Sequence, residues 1–354
     1  MRLFYTVLFC LITTITFGQL TNGTTISSGS NATIATNGSV LNTGTLALEG
    51  ALVLDGSGQI QSNSVTSLPS LSIISGDYSL LGTLSISNSL LLGGILSPQT
   101  DARLVVESAA SISIQGGYVN GSLFHQGTGD KFYPIGTANR YTPVSLSGIQ
   151  GDENTLVGVQ SVNGDIGLST TVLPVSISAV SSSWYWQITS ETTFDGAQVT
   201  LPVLAEDEAL FSAGNVQGVV IETGNDRSTA DNLGRGGGSD NTQVVSRELT
   251  VGPAVVIGAE NVVEVVIRNL ITPNGDNQND YLFIENLDLI DGTKKVYFLD
   301  RWGSRIGEDI DDFVNDDPSL APFFERFESG NYICILELED GRTIQQAITI
   351  LKDQ

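Results

Sequence analysis

Apolar positions in this chain fall in short alternating runs, and no stretch carries the 3.6-residue spacing of a helix of any length. Between residues 19 and 120 apolar-x-apolar triplets recur: Leu46-Ala47-Leu48, Leu52-Val53-Leu54, Leu71-Ser72-Ile73, Leu84-Ser85-Ile86 and Ile112-Ser113-Ile114. Clusters of Gly, Asn and Asp separate them, as in Asp55-Gly56-Ser57-Gly58 and Gly93-Gly94. Strands this short bury too little to stand alone, whereas stacked rungs build a continuous core, so the pattern predicts a β-solenoid-like region over 19–120. The triplets start 6, 19, 13 and 28 residues apart, and no single period is visible. The density of Leu, Ile and Val is too high for a disordered tract.

From 121 to 262 aromatics and charges appear. Tyr133-Pro134-Ile135-Gly136 and Arg140-Tyr141-Thr142-Pro143-Val144 open this stretch. Strand-like runs follow at 155–159, 172–177, 184–188, 198–204, 216–222, 242–246 and 255–257, a number and spacing that suit a β-sandwich. On a strand, Trp184 and Trp186 point to one face and Tyr185 to the other. The two tryptophans either fill the core or form a platform on which sugar rings stack. Leu233-Gly234-Arg235-Gly236-Gly237-Gly238-Ser239 lacks the Gly-Lys-Ser/Thr ending of a phosphate loop and reads as a plain loop.

Residues 263–354 alternate again. Val263, Val265 and Ile267 come before a polar stretch and Tyr281 and Phe283 after it; 296–299, 332–336 and 344–350 follow. Short strands bounded by Gly, Asn and Asp predict a second small sandwich. Pro273 fixes φ, and Asn274-Gly275-Asp276 supplies side chains that bond nearby backbone, so this segment is a tight turn. Arg301-Trp302-Gly303 reads as a strand end with its indole capping the core.

Taken together, Thr272, Pro273, Asn274, Gly275, Asp276, Asn279 and Asp280, then Arg301, Trp302 and Gly303, then Gly330 and Tyr332 resemble the type B C-terminal sorting domain of the type IX secretion system. That family, also called gliding-motility-associated, occurs in secreted Bacteroidetes proteins. Its Asn-Asp-Trp element corresponds to Val314-Asn315-Asp316-Asp317, where Asp317 replaces the usual Trp. The resemblance implies an Ig-like sandwich, recognition by the secretion translocon and an outer-membrane partner, and a final location in the medium or on the cell surface. It covers about a quarter of the chain and speaks of delivery rather than chemistry.

Residues 1–18 read as a secretory leader: Arg2, an apolar run from Leu3 to Phe17, and a small-residue cleavage context that leaves Gln19 first. The run is too short for a stable membrane span, and no later run reaches spanning length. The processed chain then holds one cysteine, Cys334, in a predicted buried strand, so no internal disulfide is expected. The only histidine is His125, read as a structural residue. Its solitude leaves no multi-histidine zinc site and little scope for a catalytic triad.

The net charge of −24 and the lack of any basic patch exclude nucleic acid and anionic membrane surfaces as partners. Acidity at this level serves solubility or binds a divalent cation. Asn274, Asp276, Asn279 and Asp280 place four oxygen-bearing side chains in one turn, and Asp309, Asp311, Asp312, Asp316 and Asp317 crowd a later loop. Such clusters suit calcium, the one cofactor considered; the competing reading has them bonding turn backbone.

Two function classes follow. One is an exported, non-enzymatic surface protein, adhesin-like or structural, with a dedicated gliding component as a variant. The other is a polysaccharide-binding or polysaccharide-degrading protein. Solenoid lyases need cations and a base, yet 19–120 offers only Arg103. Asp152-Glu153 and Glu206-Asp207-Glu208 nominally meet the two-carboxylate need of a glycosidase but sit among polar turn residues. The expectation is no catalytic residue.

Overall fold

The computed structural model describes residues 14–29, 32–63, 65–211, 216–262, 264–276, 278–290, 292–315, 317–339 and 341–352. The first thirteen residues of the predicted leader, Val263 and Asp316 lie outside them. Strand dominates, and helix is confined to single turns. The chain divides into two compact units. The first extends to Gly258; the second takes the chain from Ala259 onward together with 174–178 and 213–217.

The first unit begins as stacked rungs. Thr33–Thr36, Ala51–Asp55, Thr66–Ser75 and Thr83–Leu92 pair in parallel, in that order. A second parallel ladder runs from Leu20–Asn22 through Val40–Asn42, Gly58–Ser62, Asp77–Leu81, Ile95–Pro98 and Tyr118–Asn120 to Ile135–Thr137. Thr25–Ser28 pairs with Thr45–Leu48 to make a third side. Thr14–Phe17, at the end of the predicted leader, pairs with Thr33–Thr36 in the unprocessed chain.

The rungs explain the uneven spacing of the triplets. Leu52 stands opposite Leu71, Leu71 opposite Leu90 and Leu90 opposite Ile112, so these mark one position in successive rungs. Leu46–Leu48 belongs to another side of the rung that holds Leu52–Leu54. Bonded partners on neighbouring rungs are 18 to 24 residues apart. Leu52, Leu71 and Leu90 are each fully buried, at about 1.5–3 kcal/mol apiece. Inside the turns, Asn22 Nδ2 donates to Asn42 Oδ1 at 2.8 Å, which satisfies two buried polar groups across a rung.

Glycines stack at one corner. A Cβ on Gly76 would stand 1.7 Å from Gly56 O, one on Gly94 2.1 Å from Gly76 O, and one on Gly117 2.1 Å from Gly94 O. Gly76 has φ +72°, so both the close approach and the left-handed backbone demand glycine.

The expected boundary near residue 120 falls inside one continuous sheet. Leu123–Gln126 pairs in parallel with Arg103–Val106 on one side and antiparallel with Leu156–Asn163 on the other. Trp184–Ser190 extends the antiparallel part. A second antiparallel sheet contains Gly129–Tyr133, Val144–Gly151, Phe194–Pro202 and Gln243–Val245. Leu146, Val199 and Leu201 from it share a core with Val157, Val159 and Trp186.

His125 is buried at this junction, its ring 4.8 Å from that of Tyr133. Burial, reinforced by the nearby Lys131 charge, lowers its pKa to about 4 against the bond to the Phe132 carbonyl. The ring is therefore neutral at pH 7, and Nε2 donates to that carbonyl at 2.9 Å. It is a satisfied structural residue.

The second unit holds a five-stranded sheet in the order Leu270–Ile271, Thr343–Ile350, Gly330–Leu338, Lys294–Leu299, Arg305–Ile310. Only the first pairing is parallel. Its core gathers Ile271, Leu282, Val296, Phe298, Cys334, Leu336 and Ile348. Phe323, Phe324 and Phe327, on and just after the short helix Ala321–Phe324, close around Phe298 with ring centroids 5.3–5.8 Å away. Cys334 is wholly buried, and burial pushes its thiol pKa up to about 12.

Candidate sorting-signal site

The register of the five-stranded sheet gathers the motifs that the sequence scatters over some sixty residues. Ile271 lies opposite Ile350, and Ile350 opposite Gly330, at one end of the sheet. Leu299 lies opposite Ile333, so the chain that leaves it at Asp300 emerges at that same end. The Thr272–Asp280 loop, the Arg301-Trp302-Gly303 turn and the Gly330–Tyr332 strand start therefore share one edge of the domain.

The first loop is closed by its own polar groups. Thr272 N donates to Asn279 O at 2.7 Å, and Thr272 Oγ1 to Gln278 O at 3.0 Å. Asp280, nearly buried, accepts through Oδ1 from Asn274 N at 3.0 Å and Gly275 N at 2.7 Å. Asp276 Oδ1 accepts from Gln278 N at 2.8 Å, and Asn274 Oδ1 from Asp276 N at 3.1 Å. Gly275 (φ +77°) and Asn279 (φ +53°) take the left-handed turns this path needs. Pro273 sits half-buried between the closing threonine and the tip.

Asp309, Asp311 and Asp312 lie at the opposite end, where Ile310 faces Val296, and do not join this loop. Asp309 holds Lys295 at 2.7 Å and Arg305 at 3.2 Å. Asp317 Oδ1 accepts from Ser319 N at 2.9 Å, and these local bonds hold its carboxyl below the usual range. Among the described residues, no group of three or more His, Cys, Asp or Glu side chains converges as a metal site.

The Arg301-Trp302-Gly303 turn corrects one expectation. Trp302 does not cap the core: it is 79 % exposed. The core beneath is already filled by Phe298 and its three phenylalanine neighbours, and the turn carries the indole outward. Asp300 builds that turn. Its Oδ1 accepts from Trp302 N at 2.7 Å and Ser304 N at 2.9 Å, while its carbonyl accepts from Gly303 N at 3.0 Å. Gly303 follows at φ +81°. The Arg301 guanidinium lies 5.2 Å from the indole centroid.

Tyr332 packs its ring edge-on against Phe327 at 5.1 Å and donates its hydroxyl to Glu328 O at 2.9 Å. Gly330 has room: a Cβ there would meet nothing nearer than the Tyr332 ring at 3.8 Å.

Asp300 and Asn315 escaped the sequence reading as site builders. An Asp three positions before a Gly between two alternating runs is a turn signature, and it marks Asp300. Asn315 carries no comparable local signal, since its partner, Ile284, is 31 residues away.

The carbohydrate platform is also corrected. Trp186 is fully buried and Trp184 is 6 % exposed, both within the core, so neither ring has a face free for a sugar. Trp186 Nε1 donates to Thr142 O at 3.2 Å, the partner a buried indole requires. Tyr185 points the other way, toward Arg227.

A separately packed C-terminal sheet with its turn motifs on one edge defines a sorting-signal module. Residues 265–350 match the family described as CHU_C Type IX secretion signal domain, so the chain carries a type IX secretion signal domain in its C-terminal quarter. No curated protein and no solved structure matches the chain. Its signal sends it through the type IX machinery to the cell surface or the medium. Among the described residues, no helix is long and apolar enough to cross a membrane.

Proposed function

We propose that the exported chain is a non-enzymatic, adhesin-like or structural surface protein of a Bacteroidetes cell, made with a cleaved leader over residues 1–18. The observation that carries this reading is the outward column Ser70, Ser89 and Ser111 on consecutive rungs. Ser89 Oγ donates to Ser70 Oγ at 2.8 Å. Parallel rungs repeat such hydroxyls about every 4.8 Å, a spacing suited to a repetitive, hydroxyl-bearing surface.

The carboxylates weighed for glycosidase chemistry serve local structure, which supports the same reading. Asp152 Oδ1 accepts from Asn154 N at 2.8 Å, and Glu206 pairs with Arg140. Asp207 is buried and accepts from Ser181 Oγ at 2.5 Å and Leu204 N at 3.2 Å. Burial is the main reason its pKa is raised.

The antiparallel sheets of the first unit read as a β-sandwich and the sorting domain as an Ig-like one. The Thr272–Asp280 loop reads as a self-closed turn. Calcium held by Asn274, Asp276, Asn279 and Asp280 is the competing reading, and a rise in melting temperature of the purified chain in millimolar calcium favours it.

The test of the role compares a strain displaying the full chain with one lacking it. Loss of attachment to polysaccharide-coated surfaces, with unchanged turnover of soluble polysaccharide, is the expected result. Lost turnover with intact attachment contradicts it.

A further inference from the structure

One face of the second parallel ladder turns away from the core. Leu96, Val119 and Ile135 point inward and are fully buried, so their strand neighbours Ser97, Asn120 and Gly136 point outward. Register carries the same outward position back through Ser79 and Gln59 to Ser39. These hydroxyls and amides form a straight column, about 4.8 Å from rung to rung and about 20 Å from Ser39 to Asn120. Asn120 Nδ2 donates to Ser97 Oγ at 3.3 Å, and no member of the column is charged, in a chain of net charge −24. Two tyrosines close its end. Tyr141 stands opposite Gly136, 40 % exposed, with its ring 5.8 Å from that of Tyr118. Tyr118 belongs to neither core cluster. Its ring lies over Gly136, where a Cβ would come within 2.8 Å of it, and its hydroxyl donates to Thr137 O at 2.8 Å. It is thus a fixed floor beside Tyr141. The chain neighbours of Tyr141 serve the fold: Arg140 pairs with Glu206, and Thr142 Oγ1 donates to Ser161 Oγ at 2.7 Å.

We propose that this column and Tyr141 form a binding strip for an extended, neutral polysaccharide chain. The tyrosine ring offers a flat apolar face to a sugar ring. The amides and hydroxyls both donate and accept, as sugar hydroxyls require. A straight row of like groups at one spacing fits a linear polymer of repeating units better than the irregular outline of a globular partner. With no cation in the row, nothing there attracts an anionic polymer, which the net charge of the chain repels. This rests on the surface-attachment reading and adds which face makes the contact and which class of ligand it takes.

The experiment sediments the purified chain and its variants with microcrystalline cellulose, chitin and insoluble xylan, and with polygalacturonate-coated beads as the anionic probe. Melting temperatures are measured alongside. The expected result is retention on at least one neutral polysaccharide, unchanged at high salt, and none on polygalacturonate. Tyr141→Ala should weaken retention tenfold or more, Asn120→Ala less, and Tyr141→Phe least, since it keeps the ring. Tyr141→Leu, which keeps an apolar cover beside Tyr118 without a ring, should lose as much as Tyr141→Ala at an unchanged melting temperature. Phe132→Ala removes a similarly exposed ring from the antiparallel sheet and should bind as the parent does. Failure to bind any of the neutral polysaccharides, or preference for polygalacturonate, overturns the proposal. So does parent-like retention of Tyr141→Leu, or an equal loss in Phe132→Ala. Melting temperatures that fall in step with retention in both Tyr141→Leu and Tyr141→Ala assign the ring to structure instead. On cells, attachment kept by Tyr141→Ala but lost with the whole chain overturns the strip alone. Attachment that survives loss of the whole chain removes the surface-attachment reading itself.

Discussion

Asn315 pairs with the backbone of Ile284 as another strand would: its Oδ1 accepts from Ile284 N at 2.8 Å and its Nδ2 donates to Ile284 O at 2.7 Å. One side chain thus satisfies both main-chain groups of a residue buried in the sorting-domain core. Asn315→Ala is expected to destabilise the domain by about 1–3 kcal/mol, because a buried donor and acceptor lose their partners. Asn315→Asp should cost at least as much, since a carboxylate opposite the Ile284 carbonyl has nothing to donate. Urea unfolding of the purified chain checks both, and a Cm equal to that of the parent protein rules out the pairing as a stabilising contact.

The glycine corner of the solenoid yields a second expectation. Gly76→Ala sets a Cβ 1.7 Å from Gly56 O on a left-handed backbone, and the expected loss is about 3 kcal/mol or more. Gly23→Ala, with nothing within 4 Å of the added carbon, should leave the midpoint in place. Equal effects at the two sites contradict the close stacking of turns.

His125 makes stability depend on pH in a defined window. Its folded pKa is lowered to about 4 from 6.5, so the unfolded chain takes up the proton first. The contribution is full above pH 6.5 and is lost as pH falls through about 4. At about 1.4 kcal/mol per pH unit this amounts to about 3 kcal/mol. His125→Gln, which keeps a donor for the Phe132 carbonyl, should lack that part of the acid loss. The unmutated and variant chains are compared by denaturant melts at pH 7, 5.5 and 4, and parallel curves refute the assignment.

Cys334 behaves as a buried hydrophobe. With its thiol pushed up to about 12, the folded chain holds the proton, while the unfolded thiol ionises near 9. Stability from this site is therefore retained below pH 9 and declines as pH rises above it. For the chain beginning at Gln19, a thiol reagent at pH 8 should give no reaction in the native state and one equivalent after denaturation. Rapid native labelling contradicts the burial of this strand.

Much of this was legible because strands announce themselves by alternation. Leu52, Leu71 and Leu90 are apolar for the reason that makes them inward, and Val296, Phe298, Cys334 and Leu336 alternate as their sheet requires. The rung repeat stayed hidden because triplets from different sides of a rung mingle in one dimension, and only pairing sorts Leu46 from Leu52. The fate of the large aromatics was not legible either. Whether Trp186 enters a core and Trp302 leaves one depends on what else fills the space, and Phe323, Phe324 and Phe327 come from a turn of helix, and the bend just after it, too short to show a period. The junction at Leu123–Gln126 escaped notice because a strand pairing in parallel on one side and antiparallel on the other has the same local pattern as any other strand.

The most direct test of the whole account is the route of the full chain against a version ending before residue 265, each in type IX-competent and translocon-deficient cells. The account predicts that only the full chain in the competent cell reaches the surface or medium, with the shortened chain folded and retained in the periplasm. Export of the shortened chain to the same extent as the full one would contradict it.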